Sequence, residues 1–379
     1  MQPIYLDYNA TTPIAPSVQE AMLPFLAEHF GDPSSTHVLG RICREAIEDA
    51  RSRVASLLGA DHDGVIFTSG GTESNNLAIL GVMLREPPSA GGQLVISAIE
   101  HPAVTEPARW LARQGYDVTV VACDRHGVVT PEAVEAVLTP NTRLVSVMHA
   151  NHETGVVQPI RQIAALCRQR GVLIHTDAAQ STGKIRTRVD ELGVDLLTLT
   201  GHKLYAPKGI GALYVRAGVS LECVIHGAGQ EQGVRPGTEN IPSIVAFGNA
   251  ARLAEKSLSQ AAERMAMLRD RLERRITTAI GPGAVVHGRE VERLPNTLSI
   301  SFPGVVGGEL LSRVPEVCAW TGAACSSDAP DRISTTLAAM GHSADVARGT
   351  VRLSVGWYTS DDDIDRAADL LLEAWEILT

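Results

Sequence analysis

Apolar residues recur at helical spacing from Val38 to Leu58, where Ile42, Ala46, Ile47, Ala50, Val54, Leu57 and Leu58 share one face. From Val65 onward short apolar runs alternate with amphipathic stretches. The runs predict strands at 64–67, 93–97, 117–122, 143–148, 172–176, 195–199 and 210–215, with helices at about 74–86, 103–114, 131–138 and 160–170 between them. Strands alternating with helices imply a mostly parallel sheet covered on both faces, with ligands bound beyond the carboxyl ends of the strands. After Ile241 the period changes. Residues 241–280 read as one long helix or two joined ones, with Leu258, Ala261, Ala262, Met265, Leu268, Leu272 and Ile276 as the apolar stripe. The remainder predicts strands at 284–288, 296–302 and 350–355 and helices near 307–314, 332–341 and 360–378, a smaller α/β lobe. Before all this, residues 1–16 form an extended segment broken by Pro13 and Pro16, and Ser17 is expected to cap a helix running to about His29.

Composition narrows the picture. A chain of 379 residues is long for one core, and the pattern suggests a large domain over 17–255 and a small domain built from 1–16 and 256–379. A hydrophobic share of 44% with 20% charged residues is that of a globular protein, and a formal charge of −10 argues against direct nucleic-acid binding. No apolar run has the length of a membrane span, and the first residues lack the basic start and apolar stretch of a signal peptide, so a cytoplasmic protein is expected. The six cysteines, Cys43, Cys123, Cys167, Cys223, Cys318 and Cys325, contain no CxxC pair, and neither a zinc site nor a redox dithiol is signalled.

The candidate chemistry sits at strand ends. Ile66-Phe-Thr-Ser-Gly-Gly-Thr-Glu-Ser-Asn-Asn76 ends a strand, turns on two glycines and opens a helix, which suits an anion such as a phosphate. It is neither GxGxxG nor a Walker loop, and a capped helix after a tight turn reads equally well. His101 in Ile99-Glu-His-Pro-Ala-Val104 fits a stacking or proton-shuttling residue or a plain structural histidine. Asn151 follows another strand, as a ligand contact or a polar turn. Asp177 ends a buried strand three residues before Gln180, and Lys203 follows another strand in Gly201-His-Lys-Leu-Tyr205. Burial lowers a lysine pKa, and a neutral amine is what an imine to an aldehyde cofactor needs. An acid that keeps a pyridine nitrogen protonated and a lysine that holds the aldehyde are the pair pyridoxal phosphate requires. Cys325 lies among small, turn-prone residues in Trp320-Thr-Gly-Ala-Ala-Cys-Ser-Ser-Asp328, a setting for an accessible nucleophile as much as for an ordinary loop. Arg352, on a late strand, is a candidate grip for a carboxylate or a surface arginine.

Together these stretches resemble the NifS/IscS-type cysteine desulfurases, within the class V aminotransferase-like, fold type I pyridoxal phosphate enzymes. They are also similar to the selenocysteine lyases. The resemblance rests on Tyr5-Leu-Asp-Tyr-Asn-Ala-Thr-Thr-Pro13, Thr68-Ser-Gly-Gly-Thr-Glu-Ser-Asn75, Glu100-His-Pro-Ala-Val104, His175-Thr-Asp-Ala-Ala-Gln180, Gly201-His-Lys-Leu-Tyr205, Arg235-Pro-Gly-Thr-Glu-Asn240 and Arg352-Leu-Ser-Val-Gly356. It implies pyridoxal 5'-phosphate as cofactor, L-cysteine as substrate, and alanine plus a persulfide on Cys325 as products. Lys203 would hold the cofactor and move the Cα proton. Asp177 would pair with the ring nitrogen, and His101 would stack on the ring and take part in acid–base steps. Gln180 and Asn151 would meet ring substituents or substrate, and Gly71, Thr72, Thr200 and His202 would hold the phosphate. Asn9, Asn151 and Arg352 would hold the substrate carboxylate. Thr238 would reach the phosphate site of a neighbouring subunit, which implies a homodimer. The persulfide would pass to a sulfur-acceptor protein serving iron–sulfur cluster assembly, tRNA thiolation, DNA phosphorothioation or selenium recycling. The chain departs from the family pattern at His152, where Asn-Asn-Glu is usual, at Ala206 and at Trp357, and Thr200 stands where serine is common. A selenocysteine lyase and a silent scaffold of the same fold are the alternatives.

Overall fold

The structure is a computed structural model and describes residues 3–321 and 333–379. The described strands are β1 Ile4–Tyr5, β2 Val65–Thr68, β3 Gln93–Ser97, β4 Asp117–Val121, β5 Thr142–Ser146, β6 Leu173–Asp177, β7 Leu196–Thr200, β8 Gly211–Val215, β9 Val285–Val286, β10 Thr297–Ser301, β11 Val317–Cys318 and β12 Thr350–Ser354. Seven of them form one sheet in the order β2-β8-β7-β6-β5-β3-β4. Only β8 runs antiparallel to its neighbours, because a short turn rather than a crossover helix connects β7 to β8. The near-continuous Val, Ile and Leu of β2, β3 and β7 are buried on both faces, as a covered parallel sheet requires.

Register fixes the site. Thr198 of β7 is opposite Asp177, and Thr200 and Thr68 are both opposite Gly211 of β8. The carboxyl ends of β2, β6 and β7 therefore open at the same edge. Gly211 is needed there, since a Cβ on it would lie 2.7 Å from the Cα of Gly70. Gly70 itself has φ 148°, a conformation that side chains resist, and it makes the turn into the helix Gly71–Met83.

A second sheet, β12-β10-β9, packs against the helices Ile241–Ile280 and Asp361–Leu378 around Leu298, Ile300, Phe302, Val351, Leu353 and Leu371. Ile4 and Leu6 join this smaller core, whereas Tyr8 and Ala15 pack into the larger one. The helix Ile241–Ile280 is a single element of 40 residues. Its first half, through Ala254, lines the large core, and its second half, from Met265, lines the small one.

Some elements differ from the sequence expectation. The first helix begins at Pro16, with Ala15 at the N-cap, rather than behind a Ser17 cap. Proline suits the first helical position because its missing N–H has no partner there anyway. The run to His29 is not one helix but Pro16–Met22 followed by Pro24–Ala27, since Pro24 has no N–H to continue the ladder. The pairing of β1 with β11 was not anticipated; strands of two residues leave no periodic signal.

Candidate active site

The carboxyl edge of the large sheet borders a cavity of about 670 Å³ whose wall includes Asn9, Gly71, Thr72, His101, Asp177, Gln180, Thr200, His202, Lys203 and Arg352. Sequence-distant candidates are thus brought together. Thr238 is exposed and is not on this wall, and Asn151 lies behind it. Cys325 lies outside the described residues.

Lys203 ends a short 3-10 turn, Gly201–Lys203, directly after β7. Burial brings its amine down to about 8; Asp177 and Asp7 oppose that shift, and Arg352 adds to it. The next turn is held under strain. Tyr205 has φ 61°, and it is kept there by Thr12 Oγ1, which accepts from its backbone N–H at 2.9 Å. Its ring stacks on Trp357 at 3.8 Å between centroids, and its hydroxyl accepts from Trp357 N at 2.7 Å. The lysine-bearing loop is therefore fastened to the segment after β12 through a residue at which the chain departs from the family pattern.

Asp177, at the end of β6, is buried. Its Oδ2 accepts from Asn75 Nδ2 at 2.7 Å, and its Oδ1 accepts from Ala179 N at 2.9 Å. Those bonds hold the carboxylate as an acceptor facing the cavity wall. Asn75 was not singled out from the sequence. Its place one turn into the helix Gly71–Met83 carries its amide back toward the sheet edge, a contact across 102 residues with no local signal.

His101 is the N-cap of the helix Pro102–Arg113, and its Nδ1 accepts from Ala103 N at 3.1 Å. That fixes the ring and leaves Nε2 as the proton-bearing nitrogen of the neutral form. Burial lowers its pKa, with Asp177 opposing and Lys203 reinforcing. His152 sits edge-on to His101 at 5.4 Å between centroids, and its pKa is pushed well down by burial and by His101. Glu100, beside His101, is also buried. It accepts from Met148 N at 2.8 Å and from Ser97, and burial lifts its carboxyl to about 8.

The helix Gly71–Met83 offers its first N–H groups, from Gly71 to Glu73, to the cavity edge. The acidic Glu73 in that turn is drawn away: it accepts from Ser69 N at 2.6 Å and pairs with Arg235 Nε at 2.8 Å. Burial pushes the Glu73 carboxyl up, but these partners outweigh it and its pKa is lowered. Thr200 Oγ1, buried, 4.0 Å from where a Cβ on Gly70 would stand, forms no hydrogen bond among the described residues. A buried hydroxyl without a partner beside open helix N–H groups is the donor set a phosphate ester would satisfy. With the lysine, the acid and the histidine, it makes the cavity chemically suited to pyridoxal phosphate.

Asn151 is not on the wall. Its Oδ1 accepts from Glu153 N and Thr154 N, both at 2.9 Å, and its Nδ2 donates to Ile99 O at 3.1 Å. The amide oxygen is engaged by the loop 151–154, and the amide nitrogen also meets Met148 Sδ at 3.5 Å and Thr336 Oγ1 at 3.4 Å. Asn9 is on the wall, but its Oδ1 accepts from Lys184 and Asn296 and its Nδ2 donates to Thr297 Oγ1 at 2.9 Å. Arg352 lies deep in the wall, with Nη1 donating to His152 O at 2.8 Å and its guanidinium 4.3 Å from the Trp320 ring centroid. Among the described residues no group of acids, histidines and cysteines could hold a metal, and no helix is long and apolar enough to cross a membrane.

Known proteins share this fold. The aminotransferase class-V family model matches residues 4–367. A cysteine desulfurase IscS of Dictyoglomus turgidum is 42% identical over 370 residues, spanning 97% of this chain and 93% of that protein. A solved NifS-like protein superposes with a TM-score of 0.91 at 35% identity, covering 100% of this chain and 99% of the other. A structure of SspA in complex with cysteine gives 0.83 at 35% identity, covering 94% of this chain and 99% of that one. Near-complete coverage at this identity gives the family: the chain belongs to the class-V aminotransferase family and, within it, to the NifS/IscS-type cysteine desulfurases, enzymes that work with pyridoxal phosphate.

Proposed function

We propose that this chain takes the sulfur of L-cysteine onto Cys325 and releases alanine, and that the wall residues divide the work as follows. Arg352 draws in the substrate carboxylate. Lys203, whose amine loses its proton near pH 8, is the attachment point for the cofactor and moves the proton at the substrate Cα. Asp177, held as an acceptor by Asn75 and Ala179, keeps a proton on the cofactor ring nitrogen. His101 covers the ring and serves as a proton carrier through Nε2. Gly71, Thr72, Thr200 and His202 receive the phosphate. Pyridoxal phosphate, when bound, supplies the electron sink for the pair released at Cα. The Cys325 thiolate then forms an S–S bond with the substrate sulfur as the substrate C–S bond breaks; that bond's pair remains on carbon, which is protonated to give alanine.

The observation that carries this reading is the convergence of Lys203, Asp177 and His101 with an open helix N-terminus on one sheet edge. The experiment is Cys325→Ala assayed with L-cysteine and with L-selenocysteine. The cofactor's visible absorption stays and alanine formation from L-cysteine falls at least about a hundredfold, the scale of losing a nucleophile. Unchanged turnover of L-cysteine overturns the persulfide role, and unchanged turnover of selenocysteine alone assigns the chain to the selenocysteine lyases.

The large lobe over 17–255 and the small lobe from 1–16 and 256–379 are proposed as its two domains. The working unit is a homodimer in which Thr238 reaches the partner's phosphate site. Exposure of Thr238 away from its own cavity supports this, as does the exposure of Leu23, Leu26, Phe30 and Val38. The persulfide passes to a sulfur-acceptor protein in the cytoplasm. A mass of twice 40.3 kDa in solution and a persulfide-transfer assay test these points.

A further inference from the structure

Lys184 is 6% exposed, and nothing in the mechanism above uses it. Its Nζ donates to Asn9 Oδ1 at 3.0 Å and to Gln180 Oε1 at 3.1 Å, both neutral amides. The turn 181–184 brings it there through Gly183, which has φ 77° and on which a Cβ would lie 2.1 Å from Leu204 Cδ1. Burial, with Lys203 and Arg352 nearby, pushes its pKa well below the ordinary lysine value, yet charged or neutral the amine keeps N–H donors for both amides.

Those donors settle a polarity that a carboxamide leaves open, since its two ends are nearly the same shape. Lys184 donating to one end of Gln180, and the Asn9 carbonyl accepting from the other, together place the oxygen toward Lys184. The other end is then nitrogen, and Nε2 does donate to Asn9 O at 3.0 Å. Asn9 is fixed by the same logic, with Oδ1 accepting from both Lys184 and Asn296 Nδ2. Gln180 lines the cavity, and its amide carries a second N–H beyond the one used on Asn9 O.

We propose that Lys184 is a positioning residue that locks the Gln180 amide so that the active cavity meets an N–H donor rather than a carbonyl oxygen, which selects an electron-rich oxygen on the bound ring. This rests on the cofactor site described under the proposed function. Without Lys184 only the bond to Asn9 O resists a turn that brings the amide oxygen to the ring substituent, where two facing acceptors lose a hydrogen bond and gain repulsion.

The test is pyridoxal 5'-phosphate binding to the apo-form of the full chain, read by absorbance and fluorescence rather than turnover. Lys184→Met is expected to weaken binding about tenfold, the scale of one buried hydrogen bond to a charged oxygen. Lys184→Gln, which keeps a donor without the charge, stays within about threefold of wild type. In a Gln180→Leu background the Lys184→Met loss disappears, because there is no amide left to orient. Gln180→Glu, which leaves Lys184 and its contact intact but removes the N–H, weakens binding at least as much as Lys184→Met; it decides the matter even if Lys184→Met does not fold. Full binding by Gln180→Glu overturns the proposal. So does a Lys184→Met loss that is equally large in both backgrounds, or a Lys184→Gln loss as large as that of Lys184→Met. A wild-type chain that takes up no pyridoxal phosphate defeats the cofactor site itself, whereas a wild type that binds beside an unaffected Lys184→Met defeats only this inference.

Discussion

Arg352 Nη2 lies 2.6 Å from Asp7 Oδ1, so the arginine on β12 is held by an acid from the start of the chain. Burial raises the Asp7 pKa even though Arg352 works against that shift, a sign that the carboxylate is kept in place for its partner rather than for solvent. Asp7→Asn keeps the shape and removes the charge. With Arg352 as the carboxylate grip, KM for L-cysteine is expected to rise roughly tenfold with kcat little changed, the signature of lost ground-state binding. Steady-state kinetics check it; a fall in kcat at constant KM contradicts it.

The lowered pKa of Lys203 has a pH consequence in the apo-protein. The folded chain holds this proton more weakly than the unfolded chain, with a pKa of about 8 against 10.5. Below pH 8 the penalty for burying the charged amine is fully present, and stability from this residue recovers as pH rises from 8 to 10.5. Lys203→Met should therefore melt a few degrees (roughly 2–6 °C) above wild type at pH 7, and the gap should narrow above pH 10. The variant's lack of the cofactor's visible band is the accompanying readout, and calorimetry of the two apo-proteins measures the gap.

Glu100 gives the opposite slope. Its folded pKa of about 8 lies above the ordinary glutamate value of 4.5, so the folded state holds the proton that the unfolded state releases. Its contribution is full below pH 4.5 and is lost as pH rises to 8. Glu100→Gln should flatten the stability profile across that window and equal or exceed wild type at pH 8. Urea denaturation at several pH values decides this, and a parallel pair of profiles counts against it.

Arg51 and Glu231 form a buried pair, with Nη2 2.7 Å from Oε1 and Nη1 2.8 Å from Oε2. Glu231 also accepts from Phe67 N at 2.7 Å, and Arg51 donates to Val65 O at 2.7 Å, so the pair ties the loop 229–235 to β2, the strand that leads to the Gly70 turn. Arg51→Met leaves the acid buried and unpaired, and a loss of about 3–5 kcal/mol in unfolding free energy is expected. A change under about 1 kcal/mol would mean that water reaches Glu231.

Much of the large sheet was legible because its strands are uniformly apolar and the stretches between them amphipathic, a pattern that β3, Gln93–Ser97, and the helix Val38–Leu58 reproduce residue for residue. Lys203 and Asp177 were legible as a pair because neighbouring parallel strands end at one edge. What escaped was contact between residues far apart in the chain. Nothing local says that Asn75 will meet Asp177, that Lys184 will meet Asn9, or that the ring of Trp357 will lie on that of Tyr205. Asn151 was open for a related reason: an asparagine after a strand can serve a ligand or its own loop, and the choice depends on which N–H groups the fold brings near.

The helix Ile241–Ile280, at 40 residues about 60 Å long, belongs to both cores at once. It is a beam rather than a hinge. Neither lobe can melt without stripping one half of the same rod of its packing, so the two share their fate on heating, and the chain should absorb heat in a single peak. Any opening and closing of the cavity must then come from bending this rod or shifting its neighbours, both stiffer modes than rotation about a linker.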